Sequence, residues 1–320
     1  MGDIGATNAR FALVEPGSSE IKNIENLKCS DFEDIQSAIK FYLSNHSDLD
    51  IQSACFATAG TVHLDIFKLA NNHWVINKQE VKKTLKGITV KWINDFTAQA
   101  FATTTLSDSE TIVINKGVVE PEKLRLVIGP GTGLGVCGLI MSSSGWLPIA
   151  GEGGHSDFAP NTSLEFEILT LLTKKFGHVA VERILSGPGI MNLYEALCQI
   201  NDTDMIYDSP SEITAAAVNV GSDPIADETI QMFCKIFGSV AGSMALTVGA
   251  LGGVYITSDL VRNFLDIFVA SEFQESFESK GRLQPVLKDI PVYLSKKKNM
   301  GLIGTVYQIN NHWIQKGFKI

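Results

Sequence analysis

Twice in this 320-residue chain a glycine-rich turn carrying a threonine stands between two β-prone runs. The first turn is Asp3-Ile4-Gly5-Ala6-Thr7-Asn8, which leaves through Arg10 to Val14; only Met1 and Gly2 precede it, so either its entering strand is expected to be stunted or the numbering begins downstream of the natural start. The second is Gly129-Pro130-Gly131-Thr132-Gly133-Leu134-Gly135, entered from Arg125 to Ile128 and left through Val136 to Met141. Glycine in a hairpin turn lets backbone N–H groups approach an anion closely. Thr7, Asn8 and Thr132 add side-chain donors. Asp3 is a hard oxygen ligand of the kind that holds Mg2+ through water. The repetition reads as an internal duplication and predicts two α/β halves.

A second constraint lies between the turns. The apolar run Ile88, Val90, Trp92, Ile93 stops at Asn94-Asp95, and a small helical stretch follows from Phe96 to Thr104. In open α/β sheets ligands sit beyond the carboxyl ends of strands. There Asp95 can take a proton from a substrate hydroxyl, and Asn94 can donate to and accept from neighbouring hydroxyls. Read alone, an Asp before a helical run is also a common N-cap. Glu152 and His155 lie in a loop with three glycines, Gly151, Gly153 and Gly154, and supply the mixture of acceptor and donor that a polyhydroxylated ligand needs. Glu182 falls in a stretch, Val179 to Leu185, expected to be helical.

Composition removes several classes. A net charge of -9 argues against a nucleic-acid surface and against anionic membranes. Five dispersed cysteines without a CxxC pair read as reduced core thiols. No apolar run is expected to span a bilayer. Gly133-Leu134-Gly135-Val136-Cys137-Gly138 fits G-x-G-x-x-G, the glycine pattern of nicotinamide dehydrogenases, but that site needs a helix to open there, and Val136 to Met141 is β-prone. Further helices are expected over Phe32 to Leu43, Leu164 to Phe176, Thr229 to Leu246 and Leu302 to Trp313.

The two turns, together with Asn71-Asn72-His73-Trp74, Ile93-Asn94-Asp95-Phe96-Thr97-Ala98, Gly151-Glu152-Gly153-Gly154-His155 and Glu182-Arg183-Ile184-Leu185-Ser186-Gly187-Pro188-Gly189, resemble the successive motifs of the bacterial ATP-dependent glucokinase family. They stand in the family's order and cover nearly the whole chain. The resemblance implies a two-domain actin-like (ribonuclease H-like, hexokinase) α/β fold with a central cleft. It implies a small domain of residues 1–106 plus 297–320 and a large domain of 107–296 carrying the nucleotide and part of the sugar site. It further implies that Asp95 is the general base and that Asn94, Glu152, His155 and Glu182 hold glucose. The phosphates of ATP would fall to Asp3, Gly5, Ala6, Thr7 and Asn8 and to Gly131, Thr132 and Gly133, with Mg2+ near Asp3. A cytoplasmic homodimer acting in glycolysis is the expected setting, with neither nucleic acid nor membrane as partner.

The chain departs from the family pattern at Ala6, where glycine is usual, and at Thr61, where proline is frequent. Ser258-Asp259 stand where two glycines usually line the nucleotide, so weaker ATP binding is expected. A catalytically weak or inactive sugar-binding sensor on the same fold is the alternative this departure suggests.

Overall fold

The computed structural model describes residues 1–310 apart from 47, 48, 61, 70, 71, 144 and 220. The chain divides into two compact units, Met1–Leu106 with Met141–Ala150 and Lys297–Ile320, and Ser107–Ile140 with Gly151–Lys296. The first is built on a five-stranded sheet of β1 (Gly2–Ile4), β2 (Asn8–Val14), β3 (Ile21–Lys28), β4 (Ser53–Thr58) and β7 (Thr89–Asn94), in the order β3-β2-β1-β4-β7. A separate small hairpin is made by β5 (Ile66–Lys68) and β6 (Val75–Asn77). Short as it is, β1 is paired on both sides, antiparallel to β2 and parallel to β4. β4 reads as a continuous apolar run because both its faces are covered. Ala54 and Phe56 join Ile35, Ile39, Tyr42 and Trp74 in one core, and Cys55 and Ala57 join Ile93 and Ala98 in another.

The six strands of the second sheet are β8 (Thr111–Asn115), β9 (Arg125–Pro130), β10 (Leu134–Ser142), β11 (Gly145–Gly151), β12 (Val254–Ile256) and β13 (Val292–Ser295), in the order β11-β10-β9-β12-β13-β8. The pairings repeat those of the first sheet. β9 is antiparallel to β10 and parallel to β12, and β12 is parallel to β13, just as β1 is antiparallel to β2 and parallel to β4, and β4 is parallel to β7. The duplication read from the turns is therefore a duplication of sheet topology.

Most expected helices form, each with a local reason. Asp34 and Ser37 make a capping box at the start of Ile35–Ser44. Thr162 caps Ser163–Phe176, which stops at Gly177 with φ 73°. The tail helix is Met300–Asn310, and the last three residues of its expected span lie outside the described residues. Val179 to Leu185 is not an α-helix: only Val181–Arg183 forms a 3-10 turn, because Asp157 and Ala180 bridge as extended chain just before it. The α-helix follows as Gly187–Ile200, capped by Ser186 and with Pro188 in its first turn.

The expectation that no segment is of bilayer length is corrected by Pro224–Val248, a helix long and apolar enough by length and composition. Its apolar residues serve the core of the second unit: Phe233 and Phe237 are fully buried, and Gly238 and Gly242 lie on the backbone of Phe273 and Phe277. All five cysteines are buried as thiols, and burial pushes those of Cys55 and Cys234 up to about 12.

In the first unit Met300–Asn310 packs on the helix Asp95–Thr103, with Phe101 and Tyr307 stacked at 4.9 Å. The two backbones come so close that a Cβ at Gly304 would run into the Ala98 carbonyl. Gly304→Ala is therefore expected to lower the unfolding free energy by about 1–3 kcal/mol, the usual cost of overpacking. Denaturant titration checks this, and an unchanged midpoint would mean that the contact relaxes freely.

Candidate active site

In the first unit the parallel pairings bring Ile4, Thr58 and Asn94 into one row. The carboxyl ends of β1, β4 and β7 are thus level, and the Gly5-Ala6-Thr7 turn and Asn94-Asp95 leave from the same edge of the sheet. Asn94 is the N-cap of Asp95–Thr103: its Oδ1 accepts from Phe96 N at 2.9 Å and Thr97 N at 3.1 Å. The cap expected of the aspartate is thus made by the asparagine. The Asn94 side-chain carbonyl is thus committed to the helix. Asp95 is the first helical residue, half-buried, and accepts from Phe96 N at 2.8 Å.

The turn itself is closed by Gly5 N donating to Asn8 O at 2.9 Å, with Thr7 exposed. Buried Asn72 donates to Gly5 O at 3.2 Å, and Cys29 N donates to Thr7 O at 2.9 Å. The sequence assigns neither brace a role: Asn72 stands there as part of the motif Asn71-Asn72-His73-Trp74, whose Asn71 lies outside the described residues, as does Thr61. Ala6, Thr7, Cys29, Ser30, Lys68, Asn72 and His73 line a cavity of about 510 Å3. Asp3, one residue before the row, receives Arg10 Nη1 at 3.3 Å. Its carboxylate lies against the first turn of Met300–Asn310, where a Cβ on Gly301 would stand 2.6 Å from Asp3 Cγ. Burial raises the Asp3 carboxyl above the usual aspartate range, and Arg10 draws it back down.

In the second unit the equivalent row is Ile128, Ile256 and Leu294. The Gly131-Thr132-Gly133 turn leaves from its β9 end, with Thr132 exposed. Gly131 N donates to Gly133 O at 2.7 Å, and Gly187 N, at the start of Gly187–Ile200, donates to Gly131 O at 2.8 Å. The turn therefore sits beside the positive end of a 14-residue helix, where anions are favoured. Glu152 precedes and His155 ends a 3-10 turn, Gly153–His155, and both are exposed. The loop lies directly on β10, since a Cβ on Gly154 would meet Leu134 O. Glu182 reaches the same residue from the other direction, its Oε2 accepting from Leu134 N at 2.7 Å.

Ser258 and Asp259 prove to have internal partners. Ser258 is buried, donates its hydroxyl to Pro130 O at 2.5 Å and caps the short helix Asp259–Arg262 through Val261 N at 3.0 Å. Asp259 is ion-paired with Arg262, whose guanidinium also donates to Ser295 O at 3.0 Å. The serine supports the base of the turn rather than adding bulk to it, and the aspartate's charge is locally balanced.

Asp3, Gly5, Ala6, Thr7, Asn8, Asn94 and Asp95 thus gather at one edge of the first sheet. Gly131, Thr132, Gly133, Glu152, His155 and Glu182 gather around Leu134 in the second unit. The glucokinase family model matches residues 1–312. The glucokinase of Hahella chejuensis is 44% identical over 311 residues, covering 97% of this chain and 96% of that one. The glucokinase of Marinobacter nauticus is 43% identical with 97% of each chain covered. The crystal structure of a glucokinase from an Antarctic psychrotroph superposes with a TM-score of 0.86 at 32% identity, covering 97% of this chain and 98% of that one. With its motifs set in a mixed α/β sugar-kinase fold, the chain belongs to the glucokinase family.

Proposed function

We propose that this protein transfers the γ-phosphoryl group of ATP to the 6-hydroxyl of glucose, with Asp95 as the general base. The observation that carries the reading is the division of labour at the end of β7. Asn94 makes the helix cap, and the carboxylate beside it stands level with the glycine turn of β1. Asp95 takes the hydroxyl proton as the oxygen attacks the γ-phosphorus and ADP leaves, an assistance worth about 10²–10⁴-fold. Asn94 donates to the sugar. Glu152, His155 and Glu182 supply the acceptors and donors for its other hydroxyls. The exposed Thr7 and Thr132 turns receive phosphates, the latter beside the N-terminus of Gly187–Ile200. Positioning accounts for most of the remaining acceleration, since phosphoryl transfer asks little covalent chemistry of a protein.

Among the described residues there is no group of three or more side chains that would cage a metal. Mg2+ keeps several waters and binds through one or two carboxylates plus substrate phosphates, and the carboxylate of Asp3, two residues before the Gly5-Ala6-Thr7 turn, is of that kind. Asp3 would face it through water, and the ion would neutralise phosphate charge. The actin-like two-domain arrangement, a cytoplasmic location and a homodimer complete the proposal, supported by family membership and by the duplicated sheet topology. Ser258 and Asp259, the residues that suggested the sensor alternative, have partners of their own.

Glucose-dependent release of ADP in a coupled assay tests the reading; glucose binding without turnover would favour the sensor. Asp95→Asn is expected to keep glucose binding while turnover falls at least about 10²-fold. Asn94→Ala, by contrast, is expected to cost about 1 kcal/mol of stability through loss of the cap. If Asp95→Asn retained most of the activity, the base would lie elsewhere.

Glu152→Ala and His155→Ala are each expected to weaken glucose binding about 10- to 150-fold, the equivalent of one hydrogen bond to a charged group. Calorimetry with glucose alone checks this. An effect confined to the ATP dependence would remove the loop from the sugar site.

A further inference from the structure

We infer that Glu182 is a positioning residue for the phosphate turn as well as a ligand of the sugar, so that one carboxylate sets both substrates. The inference rests on the proposed reading of Gly131-Thr132-Gly133 as a phosphate site.

Three observations carry it. First, Leu134 is where the turn ends and β10 begins, and its N–H donates to Glu182 Oε2 at 2.7 Å. The residue that fixes the exit of the turn is therefore 48 positions away in sequence. Second, the turn is shaped to admit that carboxylate. A Cβ on Gly133 would collide with Glu182 Oε2, while the backbone of Gly133 is not among those with positive φ. Glycine at this position answers to the carboxylate and not to an unusual backbone conformation. Third, Glu182 is held from behind. Its carbonyl accepts from Ser186 Oγ at 2.8 Å, and its neighbour Val181 donates to Ser156 O at 2.9 Å, next to His155.

A carboxylate offers two oxygens, each able to accept. With Oε2 on Leu134 N, Oε1 remains to accept a sugar hydroxyl. The glycine loop carrying Glu152 also lies on Leu134, through Gly154 against its carbonyl. Sugar loop, phosphate turn and Glu182 consequently share one residue of backbone. Transfer between two bound substrates depends on fixing their separation, and misplacement by about 1 Å can cost about 10²-fold. The Glu182–Leu134 hydrogen bond fixes one end of that separation to the other.

The test is a double-mutant cycle read in both Michaelis constants. Gly133→Ala places a methyl group against the flexible end of Glu182 and no backbone atom, so it displaces the carboxylate from Leu134 N while the chain folds. Glu182→Ala is expected to raise the KM for ATP as well as that for glucose, each about 10-fold or more. Gly133→Ala is expected to raise both as well, yet to add less than about 2-fold in the Glu182→Ala background, since the atom it strikes is gone. Glu182→Gln, which keeps an oxygen for Leu134 N, is expected to recover most of the ATP effect and less of the glucose effect. Melting curves of each variant confirm folding. A change in the glucose KM alone, no recovery by glutamine, or equal effects of Gly133→Ala in both backgrounds would overturn the positioning role. Absence of glucose-dependent ADP release by the unaltered chain would instead overturn the kinase reading, and this inference with it.

Discussion

Parallel pairing is the constraint from which the rest of each unit follows. Strands that run parallel end at the same edge, and every connection from that edge begins there as a turn or a helix N-terminus. In the first unit the row Ile4, Thr58, Asn94 fixes where the Thr7 turn and Asp95 emerge; in the second the row Ile128, Ile256, Leu294 does the same for the Thr132 turn and Ser258. A slip of one residue in either register would turn every following side chain to the opposite face. The two edges share a further mark. The hydroxyls of Thr58 and Thr257 are buried without a hydrogen-bond partner among the described residues. Buried polar atoms of that kind are uncommon and cost stability. Here both stand at the carboxyl ends of parallel strands, where the turns depart.

Clearance is the second theme. Several glycines are required by what lies opposite them and not by their own dihedral angles. Gly129 abuts the Thr257 carbonyl, Gly154 the Leu134 carbonyl, Gly304 the Ala98 carbonyl and Gly301 the Asp3 carboxylate. At each, a methyl group would force apart two segments that carry proposed ligands or support them. Close backbone approach brings a charged or polar group to a neighbouring segment without a long, mobile side chain in between. Asp3 shows the result: Arg10 balances its charge on one side and the first turn of Met300–Asn310 lies on the other.

How far the sequence could be read depends on the range of each signal. The two turns, the Asn94-Asp95 ending and the glycine loop are local, and their residues were legible from type and spacing. Val254-Tyr255-Ile256 is legible as a strand from its β-prone residues, but its parallel pairing with β9 and with β13, far apart in sequence, is not. β3, β8 and β11 escape a reading of the sequence because their polar or exposed faces break a clean alternation, as Ile21–Lys28 shows with no buried residue. The helix Gly187–Ile200 is hidden by the two glycines of Ser186-Gly187-Pro188-Gly189, where serine followed two residues later by proline marks a helix start. The braces on the turns, Asn72 to Gly5 O and Glu182 to Leu134 N, span 67 and 48 positions. Side-chain bonds of that range become visible only once the fold is known.

The order of the two residues at the end of β7 has a chemical reason of its own. An N-cap side chain accepts two backbone N–H groups, and a carboxylate in that position is held toward its charged form, a poor state for accepting a proton. A neutral amide bears the same duty without that consequence. With Asn94 at the cap, the two N–H groups of Phe96 and Thr97 are satisfied by a group that never titrates. Asp95, one position on, accepts from the first of them. Reversing the pair would give the helix an equally good cap and place the carboxylate among the donors that weaken it as a base. In the proposed reading, the order Asn-Asp gives the cap to a group that does not titrate and leaves the carboxylate beside it sharing the N–H of Phe96.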